Sequence, residues 1–179
     1  MNFCSDCGEK VTLRIPDGDN VLRHVCDACG AIHYLNPKMV VGCIPEWDDQ
    51  ILLCRRAIEP RYGLWTLPAG FMENGETAAQ GAARETLEEA GARVQIDQLY
   101  TFLNLPYINQ IYVMFRGRLL DLDYAAGTES LEVRMFSEAE IPWKELAFRT
   151  IKITLENYFA DRKNGSFDFH MGDVLPPNR

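Results

Sequence analysis

The sequence predicts an α+β fold preceded by a small cysteine-held ribbon. Three observations carry that expectation. Four cysteines crowd into residues 4–29. Behind them, short apolar runs bounded by Gly, Pro, Asn and Asp follow the order β-β-β-α-β-β-β-α. The helix in the middle of that order, ending at Ala90, carries three carboxylates within five positions.

The ribbon comes first, over residues 1–36. Cys4, Cys7, Cys26 and Cys29 are spaced C-x2-C-x18-C-x2-C, which reads as a four-thiolate zinc site. Gly8 and Gly30 each follow the second Cys of a pair, where the backbone must turn back toward the metal. Two disulfides or a redox pair are the alternatives. Disulfides fit poorly with a chain lacking a secretory signal, and a redox pair needs no duplicate. Strands around Val11–Ile15 and Val21–Val25, joined by Asp17-Gly18-Asp19-Asn20, complete the unit. So short a stretch cannot bury enough apolar surface alone, so metal must hold it. The other two cysteines, Cys43 and Cys54, sit in apolar runs and read as small buried hydrophobes.

Asn36-Pro37 marks an extended exit into the second domain, residues 37–162. Met39–Pro45 and Gln50–Arg55 read as an antiparallel pair. Thr66–Phe71 reads as a short strand whose Pro68 suits an edge or a bulge. Thr77 can cap the helix that follows. Val94–Leu103, Gln110–Leu119 and Leu131–Phe136 are the next strands. Ser137 begins a short helix stopped near Pro142. Phe148–Ala160 is an amphipathic helix with Ile151, Ile153, Leu155, Tyr158 and Phe159 among its apolar positions. Residues 163–179, ending near Pro176-Pro177, read as a loose tail or an arm laid on a neighbour.

The composition narrows the function classes. The chain has 179 residues, 47% of them apolar, and a formal net charge of −8. An acidic chain has no general attraction for nucleic acid. An anionic substrate needs metal ions at its site to overcome the same repulsion. There is no run of 18 apolar residues, so no membrane span is expected. The first residues lack a basic and apolar leader, which points to the cytoplasm. A homodimer is left open.

The central helix carries the chemistry. Positions i, i+3 and i+4 share a helix face, so Glu85, Glu88 and Glu89 are expected to point one way. Like charges so placed repel by a few tenths of about 1 kcal/mol per pair. A helix has no need of that for stability, whereas a hard divalent cation does need such ligands. A solvated acidic face is the alternative for three Glu taken alone. Ala79, Ala83, Leu87 and Ala90 are expected to form a small-residue stripe opposite the acidic one, lying close to a sheet. Gly91 stands at the usual helix-closing position.

Gly70, Glu76, Arg84, Glu85, Glu88, Glu89 and Gly91 fall in register with G-x5-E-x7-R-E-U-x-E-E-x-G-U, where U is bulky and apolar. In this the chain resembles the Nudix hydrolases. Thr86 and Ala92 depart from the apolar positions, which concern packing and not the carboxylates. The resemblance implies a mixed-sheet α/β/α sandwich. It implies Glu85, Glu88 and Glu89 as ligands of catalytic Mg²⁺ or Mn²⁺. Arg84 is implied to anchor a carboxylate, Glu76 to orient, and the Gly70 backbone to lie near the site. A further acid is expected from the loop before a late strand: Glu132 by similarity to zinc-ribbon members, Glu129 by similarity to ADP-ribose hydrolases.

The resemblance also bears on substrate. A zinc ribbon in front of this domain resembles the NADH pyrophosphatases, but their Ser-Gln-Pro-Trp-Pro-Phe-Pro-x-Ser motif is replaced here by Leu103-Asn104-Leu105-Pro106-Tyr107-Ile108-Asn109-Gln110. Pro106 falls near the position of a Pro in the ADP-ribose group, and the run Glu129–Phe159 looks closest to plant-type FAD and ADP-ribose pyrophosphatases. Pro106 and Tyr107 are therefore the expected substrate contacts. Tyr34, Trp65, Tyr107 and Phe148 are candidates to stack on a ring, with core packing as the alternative for each. The expected substrate is a small dinucleotide-type molecule of the FAD, ADP-ribose or NADH class. The expected products are a mononucleotide and a phosphorylated partner. A zinc-ribbon binding module on an inert scaffold, or a nucleoside triphosphate pyrophosphatase, are the alternatives.

Overall fold

The computed structural model describes residues 1–176; the end of the expected tail, residues 177–179, lies outside them. The chain divides into two compact units, Met1–Pro37 and Lys38–Arg179.

The first unit is a three-stranded antiparallel sheet of β1 (Val11–Arg14), β2 (Arg23–Cys26) and β3 (Ile32–His33), in that order. Val11 stands opposite Cys26, and His24 opposite His33. Its only fully enclosed side chains are Cys4, Val25 and Cys26. Leu13, Ile15, Val21, Leu22 and Leu35 stay exposed. Apolar burial alone cannot hold a unit of this size, as its length implies.

The second unit is built on an eight-stranded mixed sheet. Its main path runs β10 (Ser130–Phe136), β5 (Gln50–Arg56), β4 (Lys38–Trp47), β9 (Gln110–Leu119), β8 (Val94–Leu105), β11 (His170–Asp173). β4 and β9 pair in parallel from Lys38–Gln110 to Glu46–Arg118. β8 and β9 are antiparallel. The alternation along β5 shows why the sheet is a middle layer. Ile51 and Leu53 pack with Ile151, Leu155, Tyr158 and Phe159 of α2 (Arg149–Asn164). Leu52 and Cys54 pack with Ala90 and Ala92, at the end of α1 (Ala78–Ala90). Successive side chains point to opposite faces of a strand, so both faces of β5 are covered by helices. This is the α/β/α sandwich.

Three elements differ from expectation. Thr66–Phe71 is not one strand but two, β6 (Trp65–Thr66) on β5 and β7 (Ala69–Phe71) on β4. Pro68 sits between them without an N–H to donate, and the chain changes partner there; its carbonyl still accepts from Cys43 N–H at 3.3 Å. The second helix runs on to Asn164. The stretch read as a loose tail contains β11, which adds a parallel edge strand to β8 in register His170–Thr101 to Asp173–Asn104. Asp161 on α2 anchors this segment. Its Oδ2 accepts from Tyr100 Oη at 2.9 Å, lies 2.7 Å from His170 Nε2, and accepts from Asp168 N–H.

Candidate active site

The helix α1 begins as its sequence implies. Thr77 Oγ1 accepts from Gln80 N–H, and the Gln80 side chain accepts from Thr77 N–H, a reciprocal cap. Gly91, at φ 60°, closes it with a bond from its N–H to the Leu87 carbonyl.

The orientation of α1 corrects the expected stripe. Gly81, Ala82, Glu85, Thr86, Glu89 and Ala90 are buried, while Leu87 is 52% exposed. Glu85 and Glu89 lie on the inward face, and the side chain of Glu88 is 58% exposed. Glu85 and Glu89 thus share the sheet-facing side, while Glu88 stays at the surface. Small residues permit this. A Cβ on Gly81 would come within 2.8 Å of Val41 Cγ2 on β4. Thr86 tolerates full burial because its hydroxyl donates to the Ala82 carbonyl at 2.8 Å.

Arg84 organises the carboxylates. Its Nε and Nη2 donate to the two oxygens of Glu76 at 3.0 and 2.9 Å. Nη1 donates to Glu85 Oε1 at 2.7 Å and Glu88 Oε2 at 3.0 Å, and Nη2 also reaches the Phe71 carbonyl. The fork on Glu76 is the bidentate geometry that fixes a guanidinium plane. The Arg84 hydrogen bonds, with one from Glu73 N–H, hold the Glu76 carboxyl down to about 2. Burial pushes the Glu85 carboxyl up against the opposing pull of Arg84. Burial and then the Glu85 charge push Glu89 up to about 8, with Arg56 opposing.

Glu89 is the informative member. It is 6% exposed, and its Oε2 has no hydrogen-bond partner among the described residues. A buried carboxylate oxygen left unpaired is costly, and oxygen donors of this kind suit a hard divalent cation. Arg84 meanwhile ties up one oxygen each of Glu85 and Glu88. Among the described residues, only Cys4, Cys7, Cys26 and Cys29 have all their ligand atoms already gathered, within 4.8 Å. Cys7 and Cys26 sulfurs lie 3.5 Å apart, and Cys4 and Cys29 sulfurs 3.7 Å. Tetrahedral zinc–sulfur bonds of about 2.3 Å require sulfur separations near ~3.8 Å. The ribbon cysteines therefore fit a closed zinc site. Cys43 and Cys54 are buried, with burial pushing both thiols up.

A cleft of about 1110 Å³ opens beside α1. Glu85, Glu88, Glu89, Arg84 and Gly70 line one side. Thr128 and Glu129 line it from the loop before β10, and Tyr107 and Ile108 from the single turn between β8 and β9. That loop is docked on α1 by bonds from Gly127 N–H to the Glu89 carbonyl and Ala125 N–H to the Ala90 carbonyl. These satisfy helix-end carbonyls that would otherwise lack partners. A Cβ on Gly127 would lie 1.8 Å from the Glu88 carbonyl oxygen.

The candidate residues separate accordingly. Glu129 lines the cleft, whereas Glu132 lies off it, with an oxygen 3.8 Å from Arg55 Nη1. The pairing of β10 with β5 shifts register between Ser130 and Glu132. Tyr107 lines the cleft but Pro106 does not; Pro106 opens the turn that presents Tyr107. Phe148 also lines the cleft, beneath the Arg56 guanidinium at 5.1 Å. Trp65 is a core residue, edge-on to Phe136, and Tyr34 belongs to the first unit, under Arg23. Arg56, Arg149 and Thr150 line the cleft without having been singled out from the sequence. No motif marks them; the one available signal is that Arg149 and Thr150 open the second helix.

Comparison with known proteins identifies the family of both parts of the chain. Residues 2–35 match the Nudix N-terminal zinc-ribbon family, and residues 36–155 the NUDIX domain. A crystal structure of a NUDIX hydrolase from Nitrosomonas europaea is 58% identical, with a TM-score of 0.96 over 98% of this chain and all of that one. An ADP-ribose pyrophosphatase of Methanocaldococcus jannaschii is 32% identical, covering 74% of this chain and 78% of that protein. The NAD-capped RNA hydrolase NudC of Stutzerimonas stutzeri is 28% identical over 89% of this chain, which spans only 56% of that protein's length. No helix among the described residues is long and apolar enough to cross a membrane. With Gly70, Arg84, Glu85, Glu88 and Glu89 of the signature on one cleft and both parts of the chain matched, the chain belongs to the Nudix hydrolase family.

Proposed function

We propose that the protein hydrolyses, with Mg²⁺ or Mn²⁺, the diphosphate bond joining a nucleoside to another group, in the FAD, ADP-ribose or NADH class. The products are a mononucleotide and a phosphorylated partner. The observation that carries this reading is the unpartnered, buried Glu89 Oε2 beside Glu85 on the wall of a cleft large enough for a dinucleotide.

Glu85, Glu88 and Glu89 would hold the divalent cation, and Arg84, locked on Glu76, fixes two of those carboxylates. When bound there, the cation would neutralise the phosphate oxygens and acidify a water. Glu129, which lines the cleft from the docked loop, is the residue we assign as general base toward water. Tyr107 and Phe148 offer ring faces for a base or flavin. In the first unit, Cys4, Cys7, Cys26 and Cys29 would hold a structural Zn²⁺. Thiols kept for metal fit a reducing, cytoplasmic setting.

A panel of FAD, ADP-ribose, NADH, dGTP and an NAD-capped RNA, each with Mg²⁺ or Mn²⁺, tests the reading. The capped RNA belongs there because of the name its relatives carry, although the net charge of −8 disfavours long nucleic acid. FAD or ADP-ribose is expected to be cleaved fastest, since groups on both sides of the diphosphate supply binding that orients the phosphorus. A kcat/KM for dGTP about tenfold above all dinucleotide-type compounds would replace this reading with a triphosphate one.

A further inference from the structure

We infer that the N-terminal turn of α2 is a second anion subsite of the cleft, holding a phosphate of the substrate through groups other than the acidic wall. The inference rests on the hydrolase reading for the identity of the substrate, but not for the existence of the subsite.

Two independent observations lead to it. The helix α2 is 16 residues long, and its N-cap is Phe148, which has no side-chain oxygen to offer the first turn. Its first backbone bond runs from Lys152 N–H to the Phe148 carbonyl. The preceding N–H groups carry the positive end of the helix dipole, which favours an anion. Phe148, Arg149 and Thr150 all line the cleft. Separately, Thr150 is 2% exposed and its Oγ1 has no hydrogen-bond partner among the described residues. A buried hydroxyl without a partner is unfavourable by itself, and a ligand oxygen drawn into the cleft wall would complete it.

The charge around this turn has the matching sign. Arg149 donates from Nη1 to the Leu175 carbonyl at 3.3 Å, which uses one of five guanidinium N–H donors. Arg56, buried and stacked on Phe148, lines the same side of the cleft. The acidic wall repels phosphate until a cation is bound there; the α2 turn attracts phosphate without one. The cleft thus holds two anion-binding regions of different kinds, one dependent on metal and one built from the chain.

The subsite is tested in EDTA, where nothing is turned over. Amide NMR of the full chain is followed while AMP, or adenosine as the control without phosphate, is titrated in. AMP is expected to bind at least about tenfold more tightly than adenosine, since a charge-assisted contact is the difference. It should move the amides of Arg149, Thr150 and Ile151. Thr150→Val should weaken AMP about five- to tenfold and leave adenosine unchanged, with Thr150→Ser restoring binding. Arg149→Gln, on an exposed side chain, gives a second reading should Thr150→Val fold poorly, with a similar loss that salt erases in the wild type. Equal binding of adenosine, shifts confined to the acidic wall, or AMP affinity untouched in well-folded variants would overturn the inference. If AMP binds at residues 149–151 while no diphosphate is hydrolysed, the hydrolase reading falls and the subsite stands.

Discussion

A Cβ placed on Gly70 would lie 2.4 Å from the carboxylate of Glu85. The strand β7 and the helix α1 approach so closely that one carboxylate fills the space a side chain would take. Gly70→Ala must therefore push Glu85 out of its seat between the strand and Arg84. Displacing one ligand by about 1 Å is expected to lower kcat about a hundredfold. Far-UV circular dichroism should be unchanged, because the helix caps are untouched. Turnover within about threefold of wild type, with normal Mn²⁺ dependence, would show that Glu85 does not need this seat.

The Glu76–Arg84 fork makes a pH-dependent prediction. Hydrogen bonds from Arg84 hold the Glu76 carboxyl down to about 2, from its ordinary 4.5. The unfolded chain therefore binds a proton more readily than the folded one across that interval. The stabilisation is present above about 4.5 and is lost as pH falls toward about 2. Glu76→Gln should be less stable than wild type at pH 7 in urea unfolding. The gap should narrow steadily as the measurement moves into that acidic window. A gap independent of pH would mean that Glu76 acts through packing and not through its charge.

The helix α1 and its caps were legible because their pattern is local. The capping residue Thr77, the closing Gly91 and the acidic spacing of Glu85, Glu88 and Glu89 are all set within one element. So were the ribbon cysteines, whose spacing alone brings four sulfurs together. What lay beyond the sequence was long-range. Helical periodicity placed the three Glu near one face but could not say that Glu85 and Glu89 turn inward while Glu88 stays exposed, because that depends on Gly81 meeting Val41 and on the pairing with Arg84. Thr150 and Arg149 carry no signal until α2 is seen to begin at the cleft. The pairing of β11 with β8 depends on Asp161, His170 and Tyr100, which are distant along the chain.

The ribbon should contain close to one zinc per chain after dialysis, held by Cys4, Cys7, Cys26 and Cys29. A unit whose enclosed side chains are two of those cysteines and Val25 has little else to hold it. Cys26→Ser should therefore release the zinc and unfold residues 1–37, seen as loss of their dispersed amide signals. The catalytic chemistry of the second unit should respond less than the fold of the first. Iron in place of zinc, or a disulfide among these four cysteines in mass spectrometry, would contradict the closed thiolate site.

The last prediction separates the two acids of the loop before β10. Glu129 lies on the segment docked to the end of α1 by Gly127 N–H and the Glu89 carbonyl, and its own carbonyl accepts from Ala57 N–H at 2.8 Å. Both ends of the loop are thus fixed, and Glu129 is held at the cleft. Glu132 sits beyond the register shift in β10, facing Arg55 with both side chains nearly half exposed. An exposed pair of that kind contributes at most about 1 kcal/mol. Removing a general base costs on the order of a hundredfold or more. Glu129→Gln is therefore expected to lower kcat by about that factor and to flatten the acid limb of the pH–rate profile, while Glu132→Gln stays within about threefold of wild type. The profile matters because a merely structural acid would lower the rate equally at every pH. If Glu132→Gln carried the larger loss, the loop would have to rearrange on substrate binding, and Glu132 would replace Glu129 as the base.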